Sequence, residues 1–170
     1  MNIRPRRSLL YMPGSNPRAL DKARTLPADG LILDMEDSVA PDAKQLAREQ
    51  IGAALAAGGY GHRELIVRIN ALSTEWGAQD VQAISRFATA PDAVLIPKID
   101  TASDVVEAIS AFESAGCPDS VAMWIMAETP LCILNIAEVA AAHPRLKGMV
   151  MGTSDLSKDT RVRHTPDRLG

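Results

Sequence analysis

The 170-residue chain is 46% hydrophobic and 23% charged with a formal net charge of −3, ordinary for a globular protein and sufficient for one domain with a sizeable core. Trp, Tyr and Phe number two each, and no basic face interleaved with aromatics marks a nucleic-acid binder. No apolar run nears the roughly 20 residues that span a bilayer. The apolar stretch behind the basic N-terminus stops at Pro13-Gly14, too soon for a secretory segment, and Cys117 and Cys132 fit neither zinc spacing nor a disulfide framework. A cytoplasmic setting with reduced, partly buried thiols is expected, with no membrane and no nucleic acid as partner.

Short apolar runs recur along the chain. They are Ser8 to Met12, Gly30 to Met35, Leu65 to Ile69, Ala93 to Ile96, Ala122 to Ala127 and Gly148 to Gly152, with starts 22 to 35 residues apart. That is the pitch of strand–helix units. The runs are continuous rather than alternating, as in parallel strands covered on both faces. Helix punctuation fills the gaps. Pro17 suits a first turn ahead of Leu20 and Ala23. Pro41 opens the next helix and Gly58-Gly59 closes it. Thr101 with Asp104 reads as a capping box before Val105, Ile109 and Phe112, and Gly116 ends that helix. Thr129-Pro130 reads as cap and first residue of a helix carrying Ile133, Ile136 and Val139. The Met residues at 123, 126, 149 and 151 read as core, and His143 as a surface residue. His164 has no assigned place.

Polar residues gather where the apolar runs end: Asp34, Glu36, Asp37 and Ser38; Arg68 and Asn70; Lys98; Glu128 and Thr129; Thr153, Ser154 and Asp155. An open doubly wound sheet would spread them along an edge, and its glycine-rich dinucleotide turn is absent after the first run. A (β/α)8 barrel points all strand ends at one cavity. Residues 1–170 therefore read as a single α/β domain of TIM-barrel type, incomplete, with about six strand–helix units. Glu128 and Asp155 at one mouth would repel unless a cation joined them, and hard oxygen donors without His or Cys suit Mg2+. Glu36 and Asp37 are placed to hold metal-bound water. Arg68, inside an apolar strand, needs a carboxylate, either a substrate's or that of Glu36 or Asp37. Lys98 is read as pairing with a site carboxylate or touching substrate. Arg6 and Arg7 are read as meeting a phosphate or as a solvated cluster. Each acid, taken alone, reads equally as a helix cap or a salt-bridge partner.

The runs RSLLYMPGSNPRALDKA, LILDMEDSVAPDAK, VRIN, LIPKI, AETP and MGTSDLSKD resemble, in order, the CoA-ester lyases of the citrate lyase β-subunit family, within the HpcH/HpaI aldolase superfamily. The resemblance implies a TIM barrel assembled as a trimer or hexamer. It implies Mg2+ held by Glu128 and Asp155, substrate held by Arg68 and Glu128, and Arg68 with the acidic pair Glu36 and Asp37 as catalytic residues. The implied partners are a CoA thioester (citryl-, malyl- or citramalyl-CoA-like) and a small 2-oxo acid, and the implied reaction is carbon–carbon cleavage. Thioester hydrolysis, class II aldolase chemistry without CoA, and a catalytically weak fragment are the competing expectations. Family members are longer, so two strand–helix units and a C-terminal acidic residue are expected to be missing here, and the general base is not assigned.

Overall fold

A computed structural model describes residues 4–163. Among them, six strands form a single parallel sheet in the order β1-β2-β3-β4-β5-β6. The strands are β1 (Leu9–Pro13), β2 (Gly30–Asp34), β3 (Glu64–Arg68), β4 (Ala93–Ile96), β5 (Ala122–Ala127) and β6 (Leu146–Met151). The helices between them are α1 (Pro17–Lys22), α2 (Lys44–Ala57), α3 (Gly77–Ser85), α4 (Ala102–Ser114), α5 (Pro130–Leu134) and α6 (Ile136–Ala141), and α7 (Thr153–Thr160) follows β6.

The strand residues sort by alternation into two layers. Leu31, Leu33, Val67, Val94, Ile96, Met123 and Ile125 pack under the helices with Ile51, Ile84, Ile109 and Phe112. Ile32, Ile66, Ala93, Leu95, Trp124 and Met126 form a second cluster on the other face. Burial on both faces is why the sequence runs are uniformly apolar. The sheet curls around this inner layer. Five strand spacings of about 4.8 Å would part β1 from β6 by roughly 24 Å in a flat sheet. Instead Tyr11 of β1 and Met151 of β6 line one cleft. Such curvature is that of a barrel wall.

The caps behave as their residue types dictate. Thr101 and Asp104 complete a capping box at α4, and Val105, Ala108, Ile109 and Phe112 form its buried stripe. Gly116 (φ 81) then turns the chain in the left-handed region. Asn16 caps α1 through Ala19 N. Pro41 opens a single 3-10 turn, Pro41–Ala43, before α2 proper, and Gly58 (φ 65) ends it.

Several sequence expectations need correction. The helix expected from Pro130 through Val139 breaks at Asn135, whose side chain donates to Asp100 O at 3.1 Å, a bond that draws the residue out of helical geometry. β6 begins at Leu146, before the predicted Gly148, because Met123 N bonds Arg145 O and a register shift follows Met123. Met123 and Met126 are core, but Met149 and Met151 are 37% and 54% exposed. Among the described residues β6 pairs with β5 alone, so its surface lacks the cover that central strands receive. His143 is half-buried and its Nδ1 accepts from Arg145 N. His164 lies outside the described residues. Cys117 and Cys132 are buried and free, and burial pushes both thiols up, away from reactivity. No described helix is long and apolar enough to cross a membrane.

Arg6 and Arg7 lie at the strand starts, far from the polar strand ends. Arg6 makes a two-pronged pair with Glu64 (2.6 and 2.8 Å) and sits 4.9 Å from the Trp124 ring centroid. Arg7 grips Asp29 (2.9 and 2.7 Å). Both are ion-paired rather than free for a phosphate, and they fasten the N-terminal segment to the base of the sheet.

Candidate active site

The C-terminal strand ends enclose a cleft of about 270 Å³ lined by Tyr11, Asp37, Arg68, Met126, Glu128 and residues 151–155. At its heart is a residue pair set by register. Asp34 and Arg68 are opposed on adjacent parallel strands, so both side chains project on the same face, two positions beyond Ile32 and Ile66 of the inner layer. Arg68 Nε and Nη2 donate to Asp34 Oδ1 and Oδ2, each at 2.7 Å, a fork-on-fork pair. Asp34 is fully buried and also accepts from Glu36 N (2.9 Å), Ser38 N (3.1 Å) and the Ser38 hydroxyl. Burial opposes its ionisation, but Arg68 and these donors overcome that and hold it below the usual carboxylate value. Arg68 likewise pays a burial cost that Asp34 more than offsets, so its charge is secured.

The remaining Arg68 nitrogen, Nη1, faces the cleft. It lies 2.7 Å from Glu36 Oε2 and 3.3 Å from Asp37 Oδ2, with Met126 Sδ at 3.7 Å and the Tyr11 ring 4.9 Å from the guanidinium carbon. Glu36 Oε2 is buried and receives no hydrogen bond; its approach to Nη1 is a charge contact off the N–H axis. Burial, tempered by Arg68 and then reinforced by Asp37, Glu128 and Asp34, lifts the Glu36 carboxyl to about 7. Asp37, by contrast, is 69% exposed at its side chain.

Glu128 and Asp155 meet across the cleft on one ammonium. Lys98 Nζ contacts Asp155 and lies 3.4 Å from Glu128 Oε1, while Lys98 N donates to the same Glu128 oxygen at 2.9 Å. Lys98 adopts φ 56, a left-handed conformation uncommon for a side-chain-bearing residue. Its amide bond to Glu128 helps hold that shape. Burial works against the Lys98 charge, and the two carboxylates raise it on balance. The Lys98 ammonium thus supplies the positive charge the two carboxylates share, and hard oxygen donors of this kind are those that suit Mg2+. Among the described residues no cluster of three or more His, Cys, Asp or Glu forms a fuller metal cage.

Gly152 keeps this arrangement possible. A Cβ there would lie 2.4 Å from Glu128 Cβ and 2.9 Å from its Oε2. Gly152→Ala is expected to push Glu128 aside, lowering divalent-cation affinity at least about tenfold and stability by about 1–3 kcal/mol. Calorimetric Mg2+ titration and urea unfolding check both.

The structure brings Asp37, Arg68, Glu128 and Asp155 to one cleft, and places Glu36 against Arg68 rather than on the cleft lining. It gives Arg68 a principal partner, Asp34, that sequence reading left without a role. Strand alternation holds the signal: Asp34 and Arg68 each end a strand two residues past an inner-face isoleucine. In the sequence Tyr11 likewise stands only as part of an apolar run.

Comparisons place the chain among known proteins of this fold. A model of the HpcH/HpaI aldolase/citrate lyase family matches residues 7–169. The chain is 52% identical, over 97% of its length and 55% of the relative's, to (3S)-malyl-CoA thioesterase of Cereibacter sphaeroides strain KD131. It is 39% identical to citrate lyase subunit beta of Escherichia coli K12, over 96% of this chain and 55% of that one. Among solved structures, protein CitE of Mycobacterium tuberculosis in complex with magnesium, acetoacetate and coenzyme A superposes with a TM-score of 0.71 at 29% identity, covering 96% of this chain and 57% of that chain. The chain spans about half the length of the curated relatives it matches.

Proposed function

This chain belongs to the HpcH/HpaI aldolase/citrate lyase family, and from that premise we propose that it serves a Mg2+-dependent enzyme that cleaves a 3-hydroxyacyl-CoA into an acyl-CoA and a 2-oxo acid. The observation that carries the reading is the convergence of Arg68, Glu128 and Asp155 on one cleft, with Glu36 Oε2 2.7 Å behind Arg68 Nη1. Glu128 and Asp155 would hold the ion, which when bound supplies Lewis-acid stabilisation of oxygen charge. Arg68 Nη1 faces the cleft while its other nitrogens are committed to Asp34, so it offers a substrate carboxylate a fixed cation. Glu36, poised near neutrality, accepts the hydroxyl proton. The oxygen electron pair then forms the carbonyl of the 2-oxo acid. The broken carbon–carbon pair passes to the thioester enolate, which takes a proton from solvent to give the acyl-CoA, while Glu36 returns its proton to solvent. Homo-oligomeric assembly is part of the proposal and follows from the family resemblance.

A second reading, thioester hydrolysis, is favoured by one observation: the relative at 52% identity is named a thioesterase. Here the same cleft would direct water at the thioester carbonyl. Malyl-CoA separates the readings. With Mg2+, lyase action releases acetyl-CoA and glyoxylate, whereas hydrolysis releases malate and free CoA. Release of neither, from this and from citryl- and citramalyl-CoA, overturns the proposal.

A further inference from the structure

Behind the cleft lie four buried polar side chains that do not line it: Lys44, Arg48, Asn70 and Asp80. Each costs free energy to bury, so what their bonds accomplish matters. Arg48 Nε donates to Asp80 Oδ1 at 2.7 Å. Asp80 Oδ2 accepts from Asn70 N at 2.8 Å and from Asn70 Nδ2 at 2.7 Å. Asn70 Nδ2 also donates to Met35 O at 3.0 Å. Lys44 Nζ donates to Met35 O and Glu36 O, both at 2.8 Å, and lies 5.2 Å from the Trp76 ring centroid.

The chain of bonds therefore begins on helices α2 and α3, passes through Asn70 just beyond β3, and finishes on two consecutive carbonyls of the loop after β2. A device serving stability alone would need only the Arg48–Asp80 pair, and an apolar pair of similar volume would often do as well. The second oxygen of Asp80 is used to orient Asn70. The Lys44 ammonium is bonded to carbonyls rather than to a carboxylate, although burial pulls its charge down. Both expenditures fix the peptide planes on either side of Glu36 Cα. On the other side of the same loop, Asp34 accepts Glu36 N and Ser38 N. Held this way, Glu36 keeps a buried oxygen against Arg68 with no hydrogen bond to retain it. Released, an acid in such a place would turn to water.

We propose that Lys44, Asn70 and Asp80, with Arg48 as counter-charge, are positioning residues that hold the loop after β2 so that Glu36 is aimed at Arg68. The catalytic meaning of that aim rests on the function proposed above; the positioning itself does not. The test compares the full chain with its Asn70→Ala and Lys44→Met variants, following the Glu36 carboxyl by carbon-13 NMR, with Glu36→Gln to assign the resonance. Burial is the largest cause of the raised Glu36 value of about 7, so a loosened loop moves the midpoint down by at least about one pH unit, a tenfold change in proton affinity. In the same variants kcat for malyl-CoA turnover falls at least about tenfold while KM changes less than about threefold, since Arg68 keeps its Asp34 partner. Where Asn70→Ala does not fold, Lys44→Met, which keeps the stem against Trp76, decides the matter by the same readouts. An unmoved Glu36 midpoint in a folded variant overturns the proposal. If the wild type releases neither acetyl-CoA nor CoA, the catalytic reading fails and the titration still decides the positioning.

Discussion

Arg68→Ala is expected to destabilise the protein by about 3–5 kcal/mol, the cost of leaving a buried charge without its partner. Asp34 is fully buried, and of the five hydrogen bonds it accepts two come from Arg68. Against a total stability of about 5–15 kcal/mol, the loss should bring the urea midpoint down sharply. The double variant Arg68→Met/Asp34→Leu should regain only part of it. Removing both charges relieves the unpaired ion, but Glu36 N and Ser38 N then lose the acceptor that shapes the loop. Arg68→Lys separates stability from recognition. An ammonium supplies one charge but not the fork, so both the Asp34 pair and the hold on a 2-oxo acid should weaken. A rise in the dissociation constant for oxaloacetate of at least about tenfold is expected. An unchanged constant would confine Arg68 to a structural role.

Glu36→Gln should alter stability in a pH-dependent way. The folded carboxyl sits near 7 and the ordinary value is 4.5, with burial the leading cause. A raised acid contributes stability that is fully present below the unfolded value and is lost as pH rises through the folded one. The wild type should therefore lose stability between about pH 4.5 and pH 7 relative to Glu36→Gln. Above that window the glutamine variant should be the more stable by up to about 3 kcal/mol. Urea midpoints at pH 5 and pH 8, measured with chelator to remove stray divalent cations, give the comparison. Parallel profiles for the two proteins would mean that Glu36 titrates normally.

Much of this site is legible in the sequence because it follows from period and position. Uniform apolar runs at a strand–helix pitch announce a parallel sheet, and polar residues closing those runs must share its C-terminal rim. Glu36, Arg68, Glu128 and Asp155 are found that way. What sequence reading misses depends on the third dimension. The Asp34–Arg68 pair requires register between β2 and β3. Arg48 and Asp80 sit in helical stretches, where charged residues ordinarily read as a solvated face, yet α2 and α3 bury them against each other. α3 itself lacks a polar cap, its N-cap being Trp76, so its start carries no sequence signal. Lys98 gives no hint of its left-handed backbone, because that shape comes from the bond to Glu128. The exposure of Met149 and Met151 reflects their place on β6 rather than their composition.

The account depends on Glu128 and Asp155 acting together as the seat of one divalent cation. Calorimetric Mg2+ titration, with Mn2+ paramagnetic resonance as a second probe, of the wild type, Glu128→Ala and Asp155→Ala tests this directly. The wild type should bind one ion per chain, and each variant should lose affinity at least about tenfold, roughly 1.4 kcal/mol or more. Equal affinity in all three proteins would contradict it.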